Sequence, residues 1–590
     1  MKPTIILAIS CFLLFGCRSA SWHKEKADRD AHANISYAQQ TALGQTEEIV
    51  TTPAADALRA RLLRDHDLPG LAPTNPPPAD AQLPDPVILT PTTALQVAAR
   101  NSRTFQQAKD QLFITALGLD LEQSAFRSAF ASEWEIKMEE NRDEDEAVRG
   151  VTAAAPLRAA RTFQNGINWT GSLAVDLVKL LTQGSASSLG ILADTGVSIP
   201  LLRGAGRDIA AEPLRQAERD MLYAVMEFER FKRTFAFDIF SGYLEVLQAA
   251  SQIENALQNY ESLTQARERA RRLTEAGRLP AFQYDQTVQD ELRARNRWID
   301  AREQYASRLD RYKLDLGLPP DARVDLDDTI LSELVASLLS NQKQTIGTYE
   351  NQGGQDTSAA IRIALDNRLD LQIARMRTED AARRIRVAQD ALRPELTLGA
   401  SVRAGESRAS LGAADRDNAR LDLEQRRSNA FLNLDLALNR RRERAAYRRA
   451  FITLDTAHRE AAQLEDRVKL EIREALRRVH QTREALRIQQ QAAELATQRV
   501  HSTDMFLQAG RAQIRDVLEA REALVNARNA LTSAAVNHRL ALLRYQRDAD
   551  LLQMSVDGIL QEHTLDPIES VDSLEPTNDN SPQKAQHEKT

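Results

Sequence analysis

The longest regular pattern in the chain runs from Arg440 to Asp557, where apolar positions alternate with frequent Arg and Glu and no proline occurs. Gly510 is the only glycine in this stretch, so the pattern predicts two long helices that meet there. The first helix, Arg440 to Ala509, would be roughly 105 Å long. Its charged residues exclude a bilayer span, which needs about 20 mostly apolar residues. The stretch therefore predicts water-exposed helices that pack on one another.

A second long helical stretch, Pro213 to Ala276, ends in the same way as the first limb of the later one. Gly277 and Gly510 each follow an alanine and precede an arginine, and the tripeptide Ala-Arg-Asn recurs at the same distance beyond each glycine. The chain is therefore predicted to be an internal duplication. The two glycines are the predicted turning points of two helical hairpins, because glycine accepts the positive φ found just after a helix end.

Four shorter segments alternate apolar and polar residues with a period of two, which indicates β-strands. They lie near residues 133–139 and 191–201 in the first half and near 395–402 and 431–439 in the second. One apolar face and one polar face are typical of a transmembrane β-barrel, with lipid outside and water inside. A half-buried antiparallel sheet would show the same alternation, so the pattern alone leaves both explanations open.

The connections between the paired strands are long and polar. Residues 403–428 form one connection, and residues 141–190 form the other, which contains an additional alternating piece at 171–181. Outer-membrane barrels have long outward loops and short inward turns. The connections are therefore expected to be outward loops.

The first seventeen residues have the pattern of a secretory signal, with Lys2 followed by an apolar run that is too short for a membrane span. Residues 14–17, Leu-Phe-Gly-Cys, resemble a bacterial lipobox, which implies a signal peptide over 1–16 and lipidation of Cys17. Ordinary cleavage near Ala20 is the alternative. Arg18 after the cysteine implies, by the same resemblance, transfer to the outer membrane.

The rest of the chain divides into five segments. Residues 17–91 are polar and then proline-rich, which predicts a lipid-anchored tether. Residues 92–322 form the first repeat, residues 323–357 link the repeats, and residues 358–560 form the second repeat. Residues 561–590 are predicted to be a polar, disordered tail.

Composition removes several functional classes. Charged residues make up 27% of the chain and aromatic residues 5%, a balance typical of long helices. The net charge of −7 argues against a nucleic-acid partner, whose binding surfaces are usually basic. Both cysteines, Cys11 and Cys17, lie at the N-terminus, and no spacing indicates catalytic residues, a metal site or a cofactor. An enzyme is therefore not expected.

The order of elements resembles the TolC-type family of outer-membrane efflux and secretion channels. The resemblance covers roughly residues 92–560. Its specific parts are Leu316-Gly317-Leu318-Pro319, the run Ile199 to Gly204 before the long helix, and Ala509-Gly510-Arg511 followed by Asp516 to Ala520. It implies a mainly α fold with membrane β structure: duplicated long-helix hairpins forming a periplasmic α-barrel, and four strands per chain. Since four strands cannot close a barrel and lipid admits no open edge, three chains would form one twelve-stranded β-barrel.

The resemblance also implies functional residues. Asp516 and Glu519, three apart on one helix face, match the acidic residues that ring the periplasmic gate in the family. A solvated helix face is the alternative. Gly277, Arg278, Gly510 and Arg511 would form the hairpin tips where an adaptor docks. Four apolar residues beside the tips would either contact the adaptor or pack between hairpins: Leu273, Leu279, Leu507 and Ile514.

The expected function is a passive exit duct of a tripartite efflux or type I secretion system. The partners would be two further copies of the chain, a periplasmic adaptor, an inner-membrane transporter and outer-membrane lipid. The protein would be lipid-anchored in the outer membrane and extend into the periplasm. The alternative is a lipid-tethered coiled-coil scaffold or adaptor in the periplasm.

Overall fold

The computed structural model describes residues 19–49, 86–142, 147–182, 186–344, 353–436, 438–509, 511–555, 558 and 560–561. The signal peptide, Cys17, Gly510, most of the proline-rich part of the tether and all but the first residue of the tail lie outside these residues. The predictions for them therefore stay predictions.

The first half contains five larger helices, one short helix and six strands among its described residues. In chain order they are α1 Ala20–Leu43, β1 Val87–Leu89, α2 Pro91–Asn101, α3 Arg103–Ser124, β2 Ala129–Ser132, β3 Glu135–Arg142, β4 Ala147–Thr162, β5 Asn168–Leu180, β6 Ser187–Pro200, α4 Arg207–Ala210, α5 Glu212–Glu275 and α6 Ala281–Asp315. The core of this half lies where α2, α3 and α5 meet, and Phe105 and Tyr243 are fully buried there.

The second half repeats this order after a short connection. In chain order the elements are β7 Val324–Leu326, α7 Thr329–Gln344, α8 Gly353–Asn367, α9 Leu369–Asp390, β8 Glu395–Glu406, β9 Arg427–Asp435, α10 Arg441–Gln508, α11 Ile514–Asp548, β10 Gln553–Met554 and β11 Leu560–Gln561. Helix pairs α2–α3 and α8–α9 correspond, and each break follows an asparagine, Asn101 or Asn367.

Two long helical hairpins, α5–α6 and α10–α11, confirm the predicted pair. Helices α5 and α10 have 64 and 68 residues, which corresponds to roughly 96 and 102 Å. Proline occurs only in the first turn of α5, where the missing N–H costs nothing. Helix α5 ends at Glu275, and Gly277 lies two residues beyond it with a φ of 68°. The Arg278 N–H donates to Leu273 O at 2.8 Å and the Gly277 N–H to Thr274 O at 2.9 Å, which is a Schellman motif.

The strands form one seven-stranded antiparallel sheet in the order β2–β4–β5–β6–β8–β9, with β3 also paired to β4. Strands β2 and β3 keep a single register against β4, so they act as one strand with a two-residue interruption. The mainly helical fold with an antiparallel sheet is confirmed. Each of the four predicted segments overlaps a strand, although β9 ends at Asp435, before the predicted end at 439.

The prediction of four strands per chain is wrong, because β4 and β5 form a further hairpin inside the segment that was expected to be an outward loop. Strand β4 contains several alanines and shows no strong alternation. Its place is set by backbone pairing with β3 on one side and β5 on the other, which the sequence pattern does not display.

The predicted tether is wrong for residues 20–49. Helix α1 carries a narrow apolar stripe, Ala31, Ile35 and Ala38, that is buried against the body. Its Asn34 side chain donates to Ala116 O on α3 at 3.3 Å. Glu47 forms an ion pair of 2.7 Å with Lys232 on α5. The spacing of these three apolar residues on one helix face therefore predicts the packing of the segment better than its polar composition does.

The connection between the repeats is partly built into the fold. Strand β7 pairs in parallel with β1, so that Val87 lies opposite Val324. Helix α7 packs Val335, Leu338 and Leu339 against a small cluster that includes Leu486 on α10 and Ala535 on α11. No helix within the described ranges is both long and apolar enough to cross a bilayer.

Candidate functional site at the hairpin tips

The ends of the two hairpins pack on each other. Leu263 and Ala270 on α5, Ala294 on α6, and Ile514 and Leu518 on α11 form one buried cluster. The four apolar residues considered as adaptor contacts all belong to it: Leu273, Leu279, Leu507 and Ile514. Their observed role in the single chain is packing between the hairpins.

Asp516 and Glu519 lie on the exposed face of the first turns of α11. Ile514, Val517 and Leu518 are buried on the opposite face. The two carboxylates therefore share one solvent-facing side of the helix, as their spacing predicts.

Each of these carboxylates also has a local partner. The Gln513 N–H donates to Asp516 Oδ2 at 2.8 Å, as part of a capping box at the start of α11. Arg515 Nε donates to Glu519 Oε1 at 2.8 Å along the same helix. Asp516 thus stabilises the helix start and presents a charge next to the turn, and Glu519 holds Arg515 beside it.

The turns themselves are open to solvent. Gly277, Arg278 and Arg511 are exposed, and a Cβ added at Gly277 would meet no atom within 4 Å. The Arg511 N–H donates to Phe506 O at 2.8 Å, which is the counterpart of the Arg278 bond in the first hairpin. Both tips therefore close in the same way, and Gly277 is required for its φ and not for close packing.

The polar contacts that join the two hairpins have no counterpart among the features predicted from the sequence. Arg297 on α6 and Glu522 on α11 form an ion pair of 2.6 Å. Arg521 on α11 donates to Ser262 on α5 and lies 3.4 Å from Asp504 on α10. No sequence signal marks these contacts, because Arg297 and Glu522 are 225 residues apart.

Two further carboxylates lie inside this junction. Burial raises the pKa of the Asp290 carboxyl; nearby Glu522 adds to the rise, while Arg293 opposes it. Glu291 accepts from Arg267 at 2.7 Å and from Thr264 at 3.2 Å, so it fixes α5 against α6. Within the part of the chain that the structure describes, no group of three or more His, Cys, Asp or Glu is placed to hold a metal ion.

Comparisons with known proteins agree with this architecture. Residues 360–546 match the family model described as outer membrane efflux protein. No curated protein sequence is significantly similar to the chain. Solved structures with the same fold include three outer-membrane proteins.

The VceC outer-membrane protein of Vibrio cholerae is 14% identical, with a TM-score of 0.54 over 78% of this chain and 95% of that one. The CmeC outer-membrane channel of Campylobacter jejuni is 12% identical, with a TM-score of 0.53 over 80% and 87%. The open state of the Neisseria gonorrhoeae MtrE outer-membrane channel is 12% identical, with a TM-score of 0.52 over 78% and 88%. Residues 360–546 therefore match the outer membrane efflux protein family, and 78–80% of the chain shares the fold of these solved outer-membrane channels.

Proposed function

We propose that this protein is the exit duct through the outer membrane in a tripartite efflux or type I secretion system. One observation carries the proposal: two helical hairpins of roughly 100 Å continue into an antiparallel sheet, in the fold of solved outer-membrane channels. The protein is a passive channel and not an enzyme. The energy for export comes from the transporter to which the channel is coupled.

The assembly is a homotrimer that works with a periplasmic adaptor and an inner-membrane transporter. The sheet of one chain leaves strands β3 and β9 with unpaired edges, and lipid does not tolerate unpaired backbone groups. Further copies of the chain satisfy these edges. The exposed tips at Gly277, Arg278 and Arg511, together with Gly510, form the surface that meets the adaptor.

The course of α1 supports a lipid anchor at Cys17. Ala42 packs beside Tyr223 and Met226, and Glu47 pairs with Lys232, so α1 runs in the same direction as α5. From Ala42 back to Ala20 the helix rises about 33 Å, which carries it beyond the start of α5 and level with the edge of the sheet. Cys17 precedes Ala20 by three residues, and its acyl chains would enter the inner leaflet of the outer membrane. Incorporation of labelled palmitate that is lost in Cys17→Ser tests this anchor.

Asp516 and Glu519 form the gate at the periplasmic end. Three copies place six carboxylates around one constriction, which favours cations and restricts the opening. The test is ion conductance of the purified trimer in planar bilayers, for wild type and for Asp516→Asn/Glu519→Gln. The Asn side chain keeps an oxygen for the cap and removes only the charge. Asp466→Asn is the matched control, because its side chain is 81% exposed on α10 and lies far from the tip.

We expect small cation-selective steps in wild type and in the control, and larger, less selective steps in the double variant. If the conductance and ion selectivity of the channels are unchanged in the double variant, the proposed gate is refuted and the proposed duct is not. A folded, detergent-stable protein without any channel activity would refute the duct and favour a tethered periplasmic scaffold.

A further inference from the structure

Strand pairing assigns every residue of the sheet to one of two faces, because directly paired residues point to the same side. On one face Leu157 lies opposite Leu173, and Val175 lies opposite Ile191. On the other face Arg158 lies opposite Ser172, and Ser172 lies opposite Asp194. The first face is apolar and the second is polar.

The additional hairpin β4–β5 has the same two faces as the rest of the sheet. Leu157, Leu173, Val175 and Leu177 lie on the apolar face and are 40–41% exposed in the single chain. The polar face of the hairpin carries Thr152, Arg158, Thr170, Ser172 and Asp176, and at its outer end Val178, which is buried against Ala413 and Ala414. A continuous apolar side along strands of 16 and 13 residues is not expected of a loop in water, whereas a barrel wall requires it.

The apolar face of β5 has the height of a membrane wall. Trp169, opposite Arg161, marks its lower end, and Lys179 marks its upper end. Ten residues of strand span about 33 Å, or about 25 Å along the membrane normal at a tilt of about 40°. This equals the height of about 25 Å of the apolar band of outer-membrane barrels.

The turn of the hairpin lies at the periplasmic edge of the sheet. Between β4 and β5 the chain turns over residues 163–167, with the Gly166 N–H donating to Phe163 O at 2.9 Å. The Gly206 N–H, at the junction of sheet and helix, donates to Asn165 O at 3.3 Å. A short turn on the side of the helices is the arrangement of periplasmic turns in outer-membrane barrels.

The outer strands of the sheet carry the same two faces up to their edges. Phe130, Ile136 and Met138 on the β2–β3 strand are 73–78% exposed on the apolar face. Leu432 and Leu434 on β9 are 63% and 51% exposed on the same face. Because each chain contributes an even number of strand positions, β9 of one copy is antiparallel to β2–β3 of the next, and the two edges can pair.

We propose that the β4–β5 hairpin is part of the barrel wall, so that three copies close a barrel of eighteen strands, six from each chain, instead of the twelve implied by the family resemblance. The inference rests on the proposed trimeric duct and specifies its membrane part. Since barrel diameter grows about linearly with strand number, the membrane pore is about half again as wide as that of a twelve-stranded barrel. Its additional lining is the part of the polar face of β4 and β5 that the β8–β9 connection leaves uncovered.

Deletion of residues 147–186 tests the proposal, because both ends of this segment lie at the outer rim and its removal joins β3 to β6 as one hairpin. Cryo-electron microscopy of the full-length trimer in lipid nanodiscs should show eighteen strands. The deletion variant should show twelve strands and a barrel about two-thirds as wide. A wild-type trimer with twelve strands in the wall and the β4–β5 hairpin outside it would overturn the inference. Absence of any trimer would instead overturn the proposed function.

Engineered disulfides test the seam without a deletion. Asn429 lies on the polar face of β9, so its neighbour across the seam must be one of the polar-face residues of β3, Glu135, Lys137 or Glu139. Asn429→Cys combined with a cysteine at one of these three positions should give a covalent trimer on oxidation. Asn429→Cys with Thr152→Cys on interior strand β4 is the control and should stay monomeric under denaturing conditions. Cross-linking only in the control, or in none of the three pairs of a folded trimer, would refute this seam.

Discussion

Gly317 and Asp550 occupy equivalent turns, one at the end of α6 and the other at the end of α11, and both have positive φ, 76° and 57°. The residue after each of these positions closes the same bond: the Leu318 N–H donates to Lys313 O at 2.8 Å, and the Leu551 N–H donates to Gln546 O at 2.8 Å. The duplication therefore keeps a turn geometry while replacing the glycine that normally provides it.

The aspartate in the second turn has a specific task. Its carboxylate accepts the Leu369 N–H at 3.0 Å and lies 3.1 Å from Arg233, whose side chain is 12% exposed. Asp550→Ala should cost about 3–5 kcal/mol, because it leaves a buried guanidinium without its anion and adds strain at positive φ. Asp550→Asn, which tolerates this φ and keeps the acceptor, should cost less. Thermal unfolding of the trimer measures both, and equal losses would contradict the role of the charge.

The first turn needs glycine for a different reason. A Cβ at Gly317 would lie 2.2 Å from Asn101 O, which is backbone. Gly317→Asp should therefore destabilise the protein more than Asp550→Gly, because the first replacement forces apart α2 and the turn after α6. The comparison of the two variants by thermal unfolding separates close packing from φ preference, and similar losses would argue against the packing explanation.

His538 on α11 makes stability depend on pH. Burial, with additional effects from Arg483 and Arg539, lowers the pKa of His538 to about 4, and its Nδ1 lies 3.1 Å from Thr482 Oγ1. The unfolded chain binds a proton at this side chain below about pH 6.5, whereas the folded chain does so only near pH 4. The free energy of unfolding should therefore fall as pH decreases from 6.5 to 4.

The variant His538→Gln shows whether His538 causes this loss of stability at low pH, because it removes the titrating group and keeps a hydrogen-bonding group. Between pH 7.5 and 4.5 the melting temperature of wild type should fall further than that of the variant. Parallel pH profiles would show that His538 is not responsible.

Arg297 and Glu522 link the hairpins at the tip, although each side chain is 49% exposed. Such a pair contributes only about 0–1 kcal/mol to stability. Glu522→Gln should thus leave the melting temperature nearly unchanged and increase the frequency of channel openings in planar bilayers. The exchange Arg297→Glu/Glu522→Arg should restore wild-type gating. Unaltered opening in Glu522→Gln would show that other contacts hold the tips together.

The β8–β9 connection folds over the polar face of the sheet at its outer end. Asp176 on β5, only 3% exposed, accepts hydrogen bonds from Ser407 and from the Arg408 N–H. Asp176→Ala should release this connection, so that trypsin cleaves after Arg416 and Arg420 several times faster in proteoliposomes. Asp194→Ala, which loses a 2.8 Å bond to Arg403 on the same face, is the control and should leave cleavage unchanged. Equal cleavage of both variants would contradict the anchoring role of Asp176.

The sequence predicts those helices and strands whose patterns lie within the segment itself. A long stretch without proline predicts α10, and Gly277 marks the end of α5 because a Schellman motif favours glycine at that position. Strands β8 and β9 are predictable because Leu396, Leu398, Leu432 and Leu434 place one apolar side along each strand. The position of Asp516 and Glu519 on the exposed face at the start of α11 followed from the same helical spacing.

Features that depend on partners distant in the chain could not be predicted. Strand β4 has weak alternation, and only its neighbours β3 and β5 define it. Helix α1 depends on the surfaces of α3 and α5 that cover Ile35. The capping role of Asp516 was visible in principle, since a residue three positions after a polar N-cap often bonds back to it. No local sequence pattern around Arg297 or Glu522 indicates that the two side chains form an ion pair.

The β4–β5 hairpin enters and leaves the sheet at the outer rim, where β3 ends at Arg142 and β6 begins at Ser187. Its presence changes neither the place where α3 joins the sheet nor the place where α5 leaves it. The width of the passage through the lipid and the width of the passage between the helices are therefore encoded by separate stretches of chain. Evolution can alter the outer opening by adding or removing one strand pair, while the surfaces that other components of the cell envelope engage remain as they are.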